Sequence, residues 1–130
     1  MILVDTHVVI WLAFDQARLS KLARATIEET RLNGEPVAIS DVTLFEAARA
    51  LHRERTQLAI SVESALAEVE RRFIVLPINS RISLRALSLP ATYPKDPADR
   101  IIGATALVEN IPLVTADRDI RNSRALPTIW

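Results

Sequence analysis

The sequence predicts an α/β protein, a three-layer α/β/α arrangement around a short-stranded, mostly parallel sheet. Three observations predict it. Short apolar runs such as "ILV", "VAIS" and "PLVT" read as buried strands. Longer segments between them repeat their apolar residues at helical spacing and carry helix start and stop residues. Strands that alternate with helices imply parallel pairing through helical crossovers, with helices on both faces.

The elements follow in order. Ile2 to Val4 is a strand, and Thr6 to Phe14 a short helix with Val8, Trp11 and Leu12 on one face. Ser20 caps a second helix that stops near Asn33-Gly34. Pro36 to Ile39 is a strand closed by Ser40. Asp41 to Arg55 is a helix with Leu44, Ala48 and Leu51 on one face. Ser61 to Arg72 is helical, and Phe73 to Ile78, rich in β-branched residues, is a strand. Asn79 or Ser80 caps a helix to about Leu89. The proline-rich "LPATYPKDP" is a loop, and Asp96-Pro97 starts a helix to Asn110. Pro112 to Thr115 is a strand, 118 to 123 a turn or short helix, and "LPTIW" an edge strand.

Composition removes several function classes. The chain has 130 residues, enough for one domain with a real core. It has no cysteine, which excludes disulfides, zinc–thiolate sites and a cysteine nucleophile. Its only glycines are Gly34 and Gly103, too few for a phosphate-cradling loop. Lysine plus arginine equals aspartate plus glutamate, 16 against 16, so any nucleic-acid contact must be a local patch. All of those cations except Lys21 and Lys95 are arginine, a bidentate phosphate ligand. Few aromatics argue against a base-stacking sheet or barrel. No uncharged stretch approaches the ~20 residues a spanning helix needs, and no basic segment precedes the first apolar run. A cytoplasmic protein without membrane contact is expected.

Ligands of parallel α/β sheets sit outside the carboxyl ends of the strands. That rule selects the acids. Asp5 directly follows the first strand. Asp117 follows "PLVT" with one residue between. Glu46 lies about a turn and a half into the helix after "VAIS", and Asp99 lies in the first turn of the helix begun by Asp96-Pro97. Each has an ordinary structural role open to it: Asp5 as a cap, Glu46 as a partner of Arg49 or Arg53, Asp99 as a first-turn helix acid, Asp117 as a turn residue with Asp119 as its alternative. Asp96 is assigned to capping. As a set they say more. Two carboxylates ~5 Å apart repel by ~3 kcal/mol at an effective dielectric near 20, so four together require a cation or bound protons. All-oxygen ligation suits a hard ion, Mg²⁺ or Mn²⁺. Such an ion activates water and neutralises a phosphodiester being cut. Ser40 has no histidine partner, and His7 and His52 read as surface or packing residues.

Together, "ILVDTHVVIWL", "AISDVTLFEAARA", "DPADRIIGATALVENIPLVTAD" and "LPTIW" resemble the PIN-domain ribonucleases, and among them the VapC-type toxins of toxin–antitoxin pairs. The resemblance covers essentially the whole chain, as a single PIN domain over 1–130. It implies that Asp5, Glu46, Asp99 and Asp117 are the catalytic, metal-binding quartet. It gives Thr6 and Thr115 the task of orienting the first aspartate and makes Ser40 the hydroxyl near the second acid. Arg100 resembles a basic position that meets substrate phosphate, with Arg49, Arg53, Arg81 and Arg85 as further candidates. It also implies an RNA substrate, a homodimer and a small antitoxin partner. Two other readings compete. An aspartyl-phosphate enzyme would use Asp5 as nucleophile but wants an acid two residues later, where His7 stands. A non-catalytic binding module would not need the complete acidic set.

Overall fold

The computed structural model describes residues 1–130. The chain runs β1 (Ile2–Val4), α1 (Thr6–Phe14), a 3₁₀ turn (Gln16–Arg18), α2 (Lys21–Leu32), β2 (Val37–Ser40) and α3 (Asp41–Arg53). It continues through α4 (Val62–Arg72), β3 (Ile74–Leu76), α5 (Ser80–Leu87), α6 (Pro97–Glu109), β4 (Leu113–Val114), α7 (Arg118–Ser123) and β5 (Thr128–Ile129). The five strands form one sheet in the order β3-β2-β1-β4-β5, and every pair is parallel.

Side chains alternate across a strand, so each short run feeds two cores. Ile2, Val4, Val37, Ile39 and Val114 point to one face, where Val8 and Val9 of α1, Ala23 and Ile27 of α2 and Val69 of α4 cover them. Leu3, Ala38 and Leu113 point to the other, against Tyr93, Ile102 and Ala106 of α6 and Ile120 of α7. These are the three layers. α6 is buried over five consecutive residues, Ile102 to Ala106, because α5 covers the side away from the sheet through Ile82 and Ala86 against Ala104.

Polar side chains start most helices: Asp5, Ser20, Ser40, Ser61, Asn79, Asp96 and Asp117 each accept a backbone N–H of the helix that follows. Asn79, not Ser80, caps α5. Left-handed residues end or follow others, Gly34 at φ 71° and Asn110 at φ 54°.

Several boundaries differ from expectation. The 3₁₀ turn was not foreseen. β3 is shorter than Phe73 to Ile78, because Phe73 still closes α4 with its N–H on Val69. α5 stops at Leu87 instead of Leu89. The buried line of α3 is Thr43, Ala47 and Leu51, with Leu44 and Ala48 on its flank. On α1 the buried residues are Thr6, Val8 and Val9, with Trp11 and Leu12 only partly covered.

Candidate active site

Strand register fixes what surrounds the end of central β1. Leu3 lies opposite Ala38 and Leu113, and Val4 opposite Val114. Continued to Asp5, the same register reaches Ser40 at the end of β2 and Thr115 just past β4. Asp5 is only 5% exposed, and both its carboxylate oxygens are held. The Thr6 N–H donates to Oδ1 at 2.7 Å, and the Thr115 hydroxyl donates to Oδ2 at 2.7 Å. Burial pushes the Asp5 carboxyl above its ordinary value. The Thr115 and Thr6 bonds and the charge of His7 pull it back, and Asp117 adds to the upward push.

The threonines extend this contact into a network. The Thr6 hydroxyl donates to Glu46 Oε1 at 2.7 Å and shares a 3.1 Å hydrogen bond with the Thr43 hydroxyl. Thr43 and Glu46 are three apart on α3 and therefore share a face. On the other side of Asp5, the Asp117 N–H donates to Thr115 Oγ1 at 3.1 Å. Asp117 Oδ1 accepts the N–H groups of Asp119 and Ile120 at 2.8 and 3.0 Å, which fixes the acid at the head of α7. One chain of hydrogen bonds thus runs Asp117–Thr115–Asp5–Thr6–Glu46.

Asp99 is the least committed of the four acids. Its carboxylate has no hydrogen bond, whereas its N–H is capped by Asp96 at 3.2 Å. Its carboxyl is pushed up to about 7, first by burial and then by the charges of Asp5, Asp96, Asp117 and Glu46. All four predicted acids are therefore electrostatic neighbours. No salt bridge neutralises any of the four: the ion pairs join Met1 to Glu35, and Arg71 and Arg72 to Glu68. The donors, oxygen only and negatively charged, fit a hard divalent cation. In the conformation seen, no three His, Asp or Glu side chains converge closely enough to enclose one.

Two of the sequence-derived supporting residues have other employment. Ser40 caps α3, accepting the Val42 N–H at 3.3 Å. Arg100 does not face the acids as a free cation. Its guanidinium turns back to donate to the carbonyls of Ala86 at 2.9 Å, Pro94 at 3.3 Å and Leu89 at 3.0 Å, joining the end of α5 to the loop before α6. Each of its three nitrogens gives one N–H to backbone, so its first task is to hold this loop, whereas the expectation was that it meets phosphate. Arg49, Arg53, Arg81 and Arg85 are exposed and form no ion pair.

Sequence reasoning missed two residues. Thr43 is fully buried beside Glu46, and its signal was the T-x-x-E spacing on one helix face. Tyr93, in the loop before α6, is 1% exposed, and its hydroxyl donates to the Asp99 carbonyl at 2.9 Å. It fits because residue 103 is glycine: a Cβ there would stand 2.6 Å from Tyr93 Cζ. Away from the acids, a cavity of about 340 Å³ opens among α1, α3 and α4, lined by apolar residues including Ile10, Phe14, Leu51, Ile60 and Phe73.

Comparison with known proteins gives consistent findings. Residues 2–125 match the PIN domain family. Ribonuclease VapC22 of Mycobacterium tuberculosis is 37% identical over 131 residues, covering 99% of this chain and 98% of that protein. Among solved structures, a toxin–antitoxin complex from Klebsiella pneumoniae contains a chain matching with TM-score 0.72 and 22% identity, over 100% of this chain and 97% of that one. VapBC2 from Rickettsia felis, bound to a DNA fragment from its promoter, matches with TM-score 0.75 and 18% identity, over 98% and 97%. At those identities the structures speak for the fold.

Proposed function

This chain belongs to the PIN domain family and to its VapC type, and from that premise we propose that it is a metal-dependent endoribonuclease that hydrolyses RNA phosphodiester bonds. Its place is as the toxin of a toxin–antitoxin pair, cytoplasmic, homodimeric and neutralised by a small antitoxin. One observation carries the reading. Asp5, Glu46 and Asp117, drawn from three distant segments, all bring their charge to bear on Asp99, and none of the four is held in a salt bridge.

The four carboxylates would hold Mg²⁺, with Mn²⁺ the alternative. When bound, the ion supplies Lewis-acid charge that neutralises the phosphodiester and makes water a better nucleophile at neutral pH. The rest is the work of the chain. Thr115 and the Thr6 N–H fix both oxygens of Asp5, so its lone pairs face one direction. The Thr6 hydroxyl fixes one oxygen of Glu46 and leaves the other free. Asp99, with neither oxygen engaged, orients the attacking water and takes its proton. An aspartyl-phosphate role for Asp5 gains no support, because His7 stands two residues on, where that chemistry wants a second acid. The proposed docking surface for the antitoxin is the apolar cavity among α1, α3 and α4, where Phe14 and Ile60 are exposed and where Arg72 is paired with Glu68.

Purified protein should cleave single-stranded RNA with Mg²⁺ and stop when EDTA is added. Asp5→Asn keeps the size of the side chain and removes a ligand charge, so cleavage should disappear while the circular dichroism spectrum is retained. Cleavage by Asp5→Asn at the wild-type rate would overturn the assignment.

A further inference from the structure

Beside the acids stands a ledge of rings that the proposed chemistry does not use. His7 is exposed two residues past Asp5, and Trp11 follows one turn later on α1, about 6 Å along the axis. Trp130 comes directly after β5, at the same carboxyl edge of the sheet as the acids. The His7 and Trp11 rings are 5.8 Å apart and inclined at 48°, and those of Trp11 and Trp130 are 5.9 Å apart at 54°. Tilted in this way, no ring lies flat on its neighbour. Both indoles rest on the core below and keep part of their surface in solvent. The exposed Arg18 holds its guanidinium over the Trp11 ring, 4.7 Å from its centroid, which covers that face, brings positive charge to the ledge and leaves the exposed His7 and the partly exposed Trp130 as its open rings. His7 is close enough to Asp5 for its charge to act on that carboxyl.

We propose that the His7–Trp11–Trp130 ledge stacks an unpaired base of the RNA strand next to the scissile phosphate. The inference rests on the ribonuclease reading and extends it to the substrate. A metal site recognises only the phosphodiester, which every nucleotide presents alike. Fixing one strand across the acids requires a second contact, and an aromatic face supplies it for any base. In a duplex the bases are already stacked on one another and out of reach, so the ledge selects single-stranded regions.

The protein's only tryptophans are Trp11 and Trp130, so all of its indole fluorescence originates on the ledge. In EDTA, where no cleavage is expected, a short single-stranded RNA of mixed sequence should quench that emission, and the same strand annealed to its complement should not. Loss of a stacked base to alanine weakens binding by about 5- to 150-fold. With Mg²⁺, His7→Ala should therefore raise KM by a factor in that range and leave kcat within about twofold. His7→Phe, which keeps a ring and removes the charge, should restore KM. If RNA is cut but the single strand leaves fluorescence unchanged and His7→Ala keeps the wild-type KM, the ledge is refuted and the nuclease reading stands. A fall in kcat at constant KM, not rescued by phenylalanine, also refutes it, by assigning His7 to the charge balance of Asp5. If the wild type cuts no RNA, the nuclease reading falls, and quenching by the single strand alone then decides whether the ledge binds RNA.

Discussion

Replacing Asp99 by asparagine should stabilise the metal-free protein. The carboxyl is raised from 3.8 to about 7, chiefly by burial and then by Asp5, Asp96, Asp117 and Glu46. About 3 units at 1.36 kcal/mol each gives an upper bound of about 4 kcal/mol for keeping the group ionised above pH 7. Asp99 remains partly in contact with water, and screening reduces this to about 1–2 kcal/mol. Against it stands the favourable interaction of a first-turn acid with the α6 dipole, about 0.5 kcal/mol. The net gain is about 1 kcal/mol, or about 3–5 °C in Tm for a chain of this size. The sign depends on pH. Between 3.8 and about 7 the folded state holds a proton that the unfolded state releases, so wild-type stability is highest below the ordinary value and falls as pH rises through 7. In EDTA, thermal melts should therefore show Asp99→Asn above wild type at pH 8 and level with it at pH 3.5. Adding Mg²⁺ at pH 8 should reverse the order, since only the wild type keeps all four carboxylates. An asparagine variant no more stable than wild type at pH 8 would refute the claim that burial and the neighbouring acids together disfavour the Asp99 charge.

Three further outcomes follow from the same geometry. Thr115→Val removes the donor to Asp5 and the acceptor of the Asp117 N–H at nearly constant volume; urea denaturation should show a loss of about 1–3 kcal/mol, largely restored by Thr115→Ser. Arg100→Met should lower Tm by breaking three bonds to backbone carbonyls, with little change in KM for RNA; a raised KM at unchanged Tm would assign Arg100 to phosphate binding. Gly103→Ala forces a methyl group against the Tyr93 ring and should cost about 1–3 kcal/mol by chemical denaturation, with activity falling further if the displaced hydroxyl releases the first turn of α6.

Much of this architecture was legible in the sequence because its signals are local. Short apolar runs, helix caps and the strand–helix alternation each occupy a few neighbouring residues, and the fold class follows from their order. The site was legible one step further: a parallel sheet brings strand ends together, so Asp5 and Asp117 could be grouped without knowing a single contact. What the sequence hid are choices made across distance. Thr115 and Asp5 are 110 residues apart and were joined only through the family resemblance, and no local pattern announces that the same hydroxyl also accepts the Asp117 N–H. Tyr93 sits in a proline-rich stretch that reads as surface, yet the absent side chain of Gly103 draws it inside. Arg100 illustrates the converse: proximity to Asp99 in sequence suggested a role beside it, and a flexible side chain reached the other way.

That behaviour of Arg100 bears on why the acids are there. A chain with 16 cationic side chains could have neutralised a structural cluster of carboxylates with arginine, as buried acids usually are. None is used so. The one adjacent to Asp99 is bound to carbonyls, and the ion pairs that exist lie elsewhere on the surface. Threonine hydroxyls do the holding instead, and a hydroxyl orients a carboxylate without cancelling its charge. The arrangement therefore fixes direction while keeping negative potential high, which weakens the isolated fold and is what the proposed divalent-ion site requires.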